Sequence, residues 1–286
     1  MALPVSITEK LSYSTVRIEC DYKDGGRGTG TGFFFRFLER GSTHIPAIVT
    51  NWHVVEGAQV GRFQVHLDDG TGGPSGQHVT VELPDFATRW IRHPDKGIDL
   101  AIMPTAPLHR EAEAKGKKIW IIPLDRSLIP TLADLDDLAT VEDIIMVGYP
   151  AGIWDPLNNM PIFRRGISAT HPRLDYNGRS EFVVDAACFP GSSGSPILLL
   201  NEGMYCKKDG GTVIGTRFKL LGVLYAGPQY MADGTIQVVD VPTQQRAISK
   251  TSIPSNLGFV IKAQRILDFE EPLKPLLPPA DPTSGS

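Results

Sequence analysis

Residues 185–196, DAACFPGSSGSP, place Ser193 among glycines and small residues, between Pro190 and Pro196. A serine hydroxyl attacks a carbonyl only when a base takes its proton and preorganised donors meet the charge that develops on the carbonyl oxygen. Glycine at 191 and 194 permits backbone conformations closed to other residues, so the amides of Gly191 and Ser193 can turn toward one point. Pro190 stiffens the entry, and Pro196 stops the turn from running on as helix. An ordinary Gly/Ser loop has the same composition, so the stretch alone leaves a nucleophile and a plain loop both open.

A base is available in TNWHVVEG, residues 50–57, where a short apolar strand ends directly before His53. A side chain at a strand end is held by the sheet yet faces a cleft, and imidazole shuttles protons near neutrality. Standing alone, His53 reads more readily as a partly buried histidine bonded to a backbone carbonyl. A carboxylate for it stands in GIDLAIM, residues 97–103, where Asp99 directly precedes an apolar strand. It must be hydrogen-bonded or paired there, and a histidine N–H would satisfy it. Asp95 is the rival, but it lies in the polar turn 93–97, where water can solvate it. The order His53, Asp99, Ser193 excludes an α/β-hydrolase, which needs a histidine after its nucleophile and a G-x-S-x-G elbow. No histidine occurs after His171 here, and position 195 is serine.

The elements that must position these residues are strands. Residues 14–20, 33–38, 45–50, 63–68, 79–83 and 88–92 carry β-branched and aromatic residues between turn formers, as do 119–123, 144–148, 160–170, 181–186, 197–200, 212–218, 221–226 and 257–261. Residues 107–118 read as a short helix or exposed link, 132–143 as a solvated acidic face and 227–255 as a long insertion. Residues 262–270 have helical spacing, with Ile266 and Phe269 on one face and a stop before Pro272. GGRGTGTG, residues 25–32, lacks both phosphate-loop spacings and reads as a turn and bulge feeding a strand.

With 286 residues, 41% hydrophobic and 21% charged, the chain can bury one or two sizeable cores. A net charge of -4 offers no basic field to nucleic acid or an acidic membrane. With no secretory signal and no long apolar run, a soluble, cytoplasmic protein is expected. Cys20, Cys188 and Cys206 are widely spaced and odd in number, which fits reduced thiols. There is no C-x-x-C pair and no H-E-x-x-H, so neither a metal nor a cofactor is expected.

Taken together, TNWHVVEG, GIDLAIM and DAACFPGSSGSP resemble the three active-site blocks of trypsin-like (chymotrypsin-fold) serine peptidases. They are most similar to the HtrA-like branch, with its TNxHVV, DLA and DAAxNPGNSGGP blocks, and the resemblance spans about residues 14–270. It implies an all-β fold of two six-stranded antiparallel barrels with the site in the cleft between them. It also implies His53 as general base, Asp99 as its orienting partner, Ser193 as nucleophile and the amides of Gly191 and Ser193 as oxyanion hole. Two positions depart from the pattern: Ser192 stands for Asn and Ser195 for the second Gly. Digestive members pair an Asp before the serine with a newly cleaved N-terminus; Ser192 cannot form that pair, so no such cleavage near residue 13 is expected. Ala187 stands where a carboxylate would select Arg or Lys, and Cys188, Tyr225, Ala226 and Gly258 fall near the pocket walls. This favours a small or medium apolar residue before the scissile bond, with the backbone from Leu224 to Ala226 pairing with an extended substrate. Cys188 is a point of thiol sensitivity if reactive, although an inert buried thiol is the commoner case.

The expectation is therefore a serine endopeptidase acting through an acyl-enzyme. Residues 1–13 form an N-terminal segment, 14–115 a first barrel carrying His53 and Asp99, 116–270 a second carrying Ser193, and 271–286 a proline-rich tail or linker. HtrA-like members carry a PDZ domain after the protease and none is found here, so the chain reads as a stand-alone protease or, by preference, as ending where a further domain was cut away. Expected partners are a protein or peptide substrate and a regulatory domain or sensor, without nucleic acid or membrane. Two alternatives stay open: a latent protease whose oxyanion loop a partner must order, and a silent peptide-binding module on the same fold.

Overall fold

Strand alternation and two-sided burial build the first half. The computed structural model describes residues 3–41, 43–235, 248–254 and 256–277, with the backbone alone at 229–235 and 248–254. β1 (Thr15–Tyr22) buries Val16, Ile18 and Cys20 and sends Arg17 and Glu19 to the other face. It lies between β2 (Arg27–Arg40) and, beyond β3 (Thr43–Thr50) in sequence, β4 (Ala58–Asp68), which pairs in turn with β5 (Pro74–Pro84). On the other side β2 pairs with β3, and β3 continues through β6 (Ile91–Arg92) and β7 (Ala101–Pro104), giving the order β5-β4-β1-β2-β3-β7-β6. β8 (Ile119–Trp120) adds to β4, and β9 (Leu124–Asp125) runs parallel to β2.

The expected all-β chymotrypsin-like class is thus present, but this ladder does not close on itself among the described residues and is not wholly antiparallel. Its pairing also reaches Asp125, past residue 115. The second half does close. β10 (Asp143–Gly148), β11 (Ile162–Ser168), β12 (Glu181–Asp185) and β13 (Pro196–Asn201) are followed by a small hairpin, β14 (Met204–Cys206) and β15 (Thr212–Ile214). After β16 (Arg217–Ala226), β17 (Gln229–Thr235) and β18 (Ile248–Pro254) form a second hairpin within the expected insertion, whose residues 236–247 and 255 lie outside the described residues. With β19 (Leu257–Lys262) the closed barrel reads β10-β11-β12-β19-β16-β13.

Helices are short. α1 (Ile7–Leu11) starts with a capping box between Ser6 and Glu9, and its Leu11 is buried. α2 (Trp52–Val55) carries His53, α3 (Ala106–Ala114) stands between β7 and β8 of the first sheet, and α4 (Leu132–Asp136) is capped by Thr131. The C-terminal segment is 3₁₀ over Ala263–Phe269 and becomes α5 (Glu270–Leu273), so the helix runs through Pro272 instead of stopping before it. Proline is tolerated in a first helical turn because no intrahelical acceptor exists there for its missing N–H. Leu273 is fully buried, so the start of the expected tail is part of the core, while residues 278–286 lie outside the described residues.

Three apolar cores result. One fills the first sheet around Ile18, Phe34 and Ile48, another fills the barrel around Phe182, Ile197 and Val260. The third lies between the halves, where Phe33, Phe35 and Phe37 of β2 meet Val147, Leu198, Val223 and Phe269. β2, β3 and β7 are therefore buried on both faces, which is why FFF and AIV occur as unbroken apolar runs.

His66 joins the halves by a polar contact. It is buried on β4, with Nε2 3.2 Å from Asn159 Nδ2 and 3.1 Å from the Asn159 carbonyl. Burial pushes its pKa from 6.5 down to about 4. Between those values the unfolded chain binds a proton that the folded chain refuses. Up to about 3 kcal/mol of stability is thus complete above the unfolded value and lost as pH falls through the folded one. The urea midpoint should drop more steeply between pH 7 and 4 in the wild type than in His66→Gln; parallel curves would exclude His66 as the cause.

Candidate active site

The pairing of β3 with β7 brings Thr50 opposite Ala101, so the residues just after β3 face those just before β7. His53 and Asp99 meet at this end. Asp99 Oδ2 accepts from His53 Nδ1 at 2.5 Å, and its Oδ1 accepts from the His53 backbone N–H at 3.0 Å. A carboxylate only accepts, so Nδ1 carries the ring proton and Nε2 keeps a lone pair. Buried Asn51 donates from Nδ2 to the Asp99 carbonyl at 2.9 Å and holds the two chain segments together. Asp95 serves elsewhere, accepting from Gly97 N–H at 2.9 Å and pairing with Arg265 at 3.3 Å.

Ser193 lies between β12 and β13, in a loop whose Pro190, Gly191 and Ser193 carbonyls accept hydrogen bonds from the surrounding fold. The Pro190 carbonyl accepts from Ala151 N–H at 2.5 Å, Gly191 O from Thr31 Oγ1 at 2.9 Å, and Ser193 O from Thr31 N–H at 2.8 Å. The N–H groups of Gly191 and Ser193 donate to no protein acceptor among the described residues. The Ser193 hydroxyl donates to the Tyr225 carbonyl at 3.4 Å, and no hydrogen bond joins it to His53 among the described residues. Such a length marks a weak bond, easily exchanged by rotation about χ1.

Gly191 and Gly194 have φ of +85° and +87°, where other residues are strained. At 191 a Cβ would stand 2.6 Å from the Tyr149 carbonyl oxygen, and at 194 it would collide with the Thr31 carbonyl. The departure at Ser195 is absorbed by Gly148: any Cβ there would collide with Ser195 Oγ.

A cavity of about 260 Å³ adjoins Ser193, lined by Cys188, Phe189, Pro190, Ser192, Leu224, Tyr225, Ala226, Gly227 and Pro228. Of the residues expected at the pocket, Cys188, Tyr225 and Ala226 line it with Leu224. Gly258 sits behind the wall, where a Cβ would stand 2.5 Å from Leu224 Cδ1 and 2.6 Å from Cys188 Sγ. Ala187 is not in the lining; its carbonyl is held by Arg164 Nη1 at 2.6 Å. The Leu224 backbone is engaged within the fold: its N–H donates to Ser195 O at 3.0 Å and its carbonyl accepts from Gly194 N–H at 2.8 Å. Burial pushes the Cys188 thiol up to about 11, against the pull of Arg164, so the group is a thiol at neutral pH. The Tyr225 hydroxyl donates to buried Glu181 at 3.0 Å, and burial together with that bond raises its pKa to about 12.

A larger cleft of about 470 Å³ lies beside α4 and β16, but its lining includes none of His53, Asp99 or Ser193. Arg164 and Thr31 are the residues of this site outside the three active-site blocks; Thr31 lies in the glycine-rich stretch 25–32, whose residues from Arg27 on belong to β2 itself. The signal for Arg164 is present in β11, IFRRGIS, whose alternation turns one of two adjacent arginines inward.

Residues 30–204 match the profile of the trypsin-like peptidase domain family. Among solved structures the chain is similar to the active form of the Rv3671c protease of M. tuberculosis, at 15% identity, covering 93% of this chain and 85% of that one with a TM-score of 0.45. It is also similar to the HtrA-type protease AlgW with tripeptide, at 15% identity, covering 92% of this chain and 60% of that one, again with a TM-score of 0.45. No curated protein sequence matches it.

Gly194→Ala should destabilise the fold by about 1–3 kcal/mol through backbone strain alone. Because that strain sits beside Ser193, its reaction with an active-site phosphonate should slow as well. A wild-type melting curve would show that the loop can shift to admit the methyl group.

Proposed function

This chain belongs to the trypsin-like peptidase domain family, whose members are serine endopeptidases, and we propose that it cleaves peptide bonds with Ser193 as nucleophile, His53 as general base and Asp99 as the group that orients the base. The observation that supports this most is the double acceptance by Asp99 of both the ring and backbone N–H groups of His53. It fixes the ring and its tautomer, leaving Nε2 as the proton acceptor.

On substrate binding the Ser193 hydroxyl exchanges the Tyr225 carbonyl for His53 Nε2 and attacks the scissile carbonyl. The proton passes to His53, whose positive charge Asp99 offsets, and the tetrahedral oxyanion takes the unspent N–H groups of Gly191 and Ser193. His53 then protonates the leaving amine, and water activated by the same nitrogen releases the acyl group.

The Pro190 carbonyl, held by the Ala151 N–H, speaks against collapse of the oxyanion loop as the resting state, since a collapsed loop would turn a carbonyl toward the place the oxyanion needs. A partner-dependent form draws its support from the Ser193–Tyr225 bond, which leaves nucleophile and base unjoined. For specificity, the cavity lining contains no carboxylate among the described residues and presents Cys188, Leu224 and Ala226. A small or medium apolar residue before the scissile bond is proposed.

A fluorophosphonate probe should label the wild type and neither Ser193→Ala nor His53→Ala, and Asp99→Asn should lower the labelling rate by about 10⁴-fold, as in the serine-protease template. An unlabelled wild type that gains labelling with a partner would make the chain latent. Unchanged peptide binding by Ser193→Ala, with no labelling of the wild type under any condition, would make it a binding module. In a peptide library, cleavage should occur after Ala, Val or Leu; strong preference for Arg or Lys would overturn the pocket assignment.

A further inference from the structure

β11 carries Arg164 and Arg165 side by side. Arg165 points outward and pairs with Asp143 at 2.8 Å. Arg164 points inward, behind the nucleophile loop. Both of its hydrogen bonds leave one nitrogen: Nη1 donates to the Ala187 carbonyl at 2.6 Å and to Ser192 Oγ at 2.8 Å. Its Nε and Nη2 are buried with no acceptor, and it enters no ion pair among the described residues.

A buried guanidinium without a carboxylate is costly, and an apolar side chain of similar length would pack there at little or no loss of stability. Fold stability therefore gives no account of this residue. Its two acceptors do. Ala187 and Ser192 bracket the segment that contains Pro190 and Gly191, and one nitrogen draws both ends of that segment together. Ser192 is buried and directly precedes Ser193, so its position sets where the nucleophile and its N–H begin. A charged donor makes each bond stronger than a neutral one would be, and the guanidinium stays protonated when buried.

We propose that Arg164 is the positioning residue of the nucleophile loop, an internal cation that ties Ala187 to Ser192 and keeps the Gly191 and Ser193 N–H groups in place for the oxyanion. This rests on the reading of those two amides as the oxyanion donors. The loop takes its charged tether from a neighbouring strand of the same barrel.

The test compares Arg164→Met with Arg164→Lys, whose single nitrogen can still serve both acceptors. Hydrogen exchange is followed in the Ser193→Ala background, so that its outcome does not depend on activity. Amides of residues 187–195 should exchange at least about 10-fold faster in the methionine variant, as loss of a charge-assisted hydrogen bond predicts. The barrel strands should keep their protection and the melting temperature should hold or rise. Lysine should restore most of the protection. With Ser193 intact, methionine should slow fluorophosphonate labelling about 100-fold, the scale of a lost oxyanion donor, and change KM for a peptide substrate much less than kcat. Wild-type protection of the segment in Arg164→Met would overturn the proposal. Faster exchange throughout the barrel with a lowered melting temperature would also overturn it, by showing a merely structural role. Whether the wild type labels at all decides the peptidase reading; the exchange comparison decides the tether.

Discussion

The site depends on Thr31, a fully buried residue of β2 that makes three hydrogen bonds to the second half of the chain and one to β3. Its N–H donates to Ser193 O at 2.8 Å and its hydroxyl to Gly191 O at 2.9 Å, while the same hydroxyl accepts from Tyr149 N–H at 3.1 Å. Its carbonyl accepts from Thr50 Oγ1 at 2.6 Å, and Thr50 ends the strand that delivers His53. The side chain and the backbone N–H and C=O of one residue thus connect the base-bearing strand to the nucleophile loop. Each such bond contributes only about 1 kcal/mol net, but a buried group left without its partner costs more. The glycines at 148 and 194 are required by the same residue, since a Cβ at either position would press into Thr31.

Thr31 can do this because the strands around it are buried on both faces. Alternation along β2 sends Phe33, Phe35 and Phe37 to the core between the halves and Phe34 to the core of the first sheet. β3 and β7 divide in the same way, with Val49 and Ile102 on one side and Ile48 and Ala101 on the other. A one-residue slip in any of them would exchange every one of these side chains. The register that places Thr50 against Ala101, and so His53 beside Asp99, is therefore set by hydrophobic burial and not by the catalytic pair.

Charge near the cleft is handled in three ways. Among the described residues, the Asp99 carboxylate takes its donors from the ring and backbone N–H groups of His53. Glu181 is shared between the Tyr225 hydroxyl and Arg179, which reaches it at 2.8 Å. Among the described residues, Arg164 donates to neutral oxygens only. Farther out, Arg217 and Glu142 form a buried pair at 2.5 Å, and Arg217 also lies over the Tyr205 ring, 4.6 Å from its centre. The first three groups surround the nucleophile loop and the cavity beside it, where placement of backbone N–H groups matters more than net charge.

The residue types and order of His53, Asp99 and Ser193, the glycines of their loop and the strand-rich pattern were legible from the sequence, because each is a local property: a turn needs its glycine and an amphipathic strand its alternation. The same locality explains what was missed. Nothing near residue 164 announces that an arginine will reach Ala187 and Ser192, and nothing near Leu224 announces that its backbone will be used by Gly194 and Ser195. Pro272 looked like a stop because its missing N–H matters in a helix interior, whereas the preceding 3₁₀ segment puts it in a first turn. Sequence by itself determined which groups could do chemistry. Only the tertiary structure decided which partners they keep, because those bonds join strands far apart in the chain, through registers that the shared core imposes.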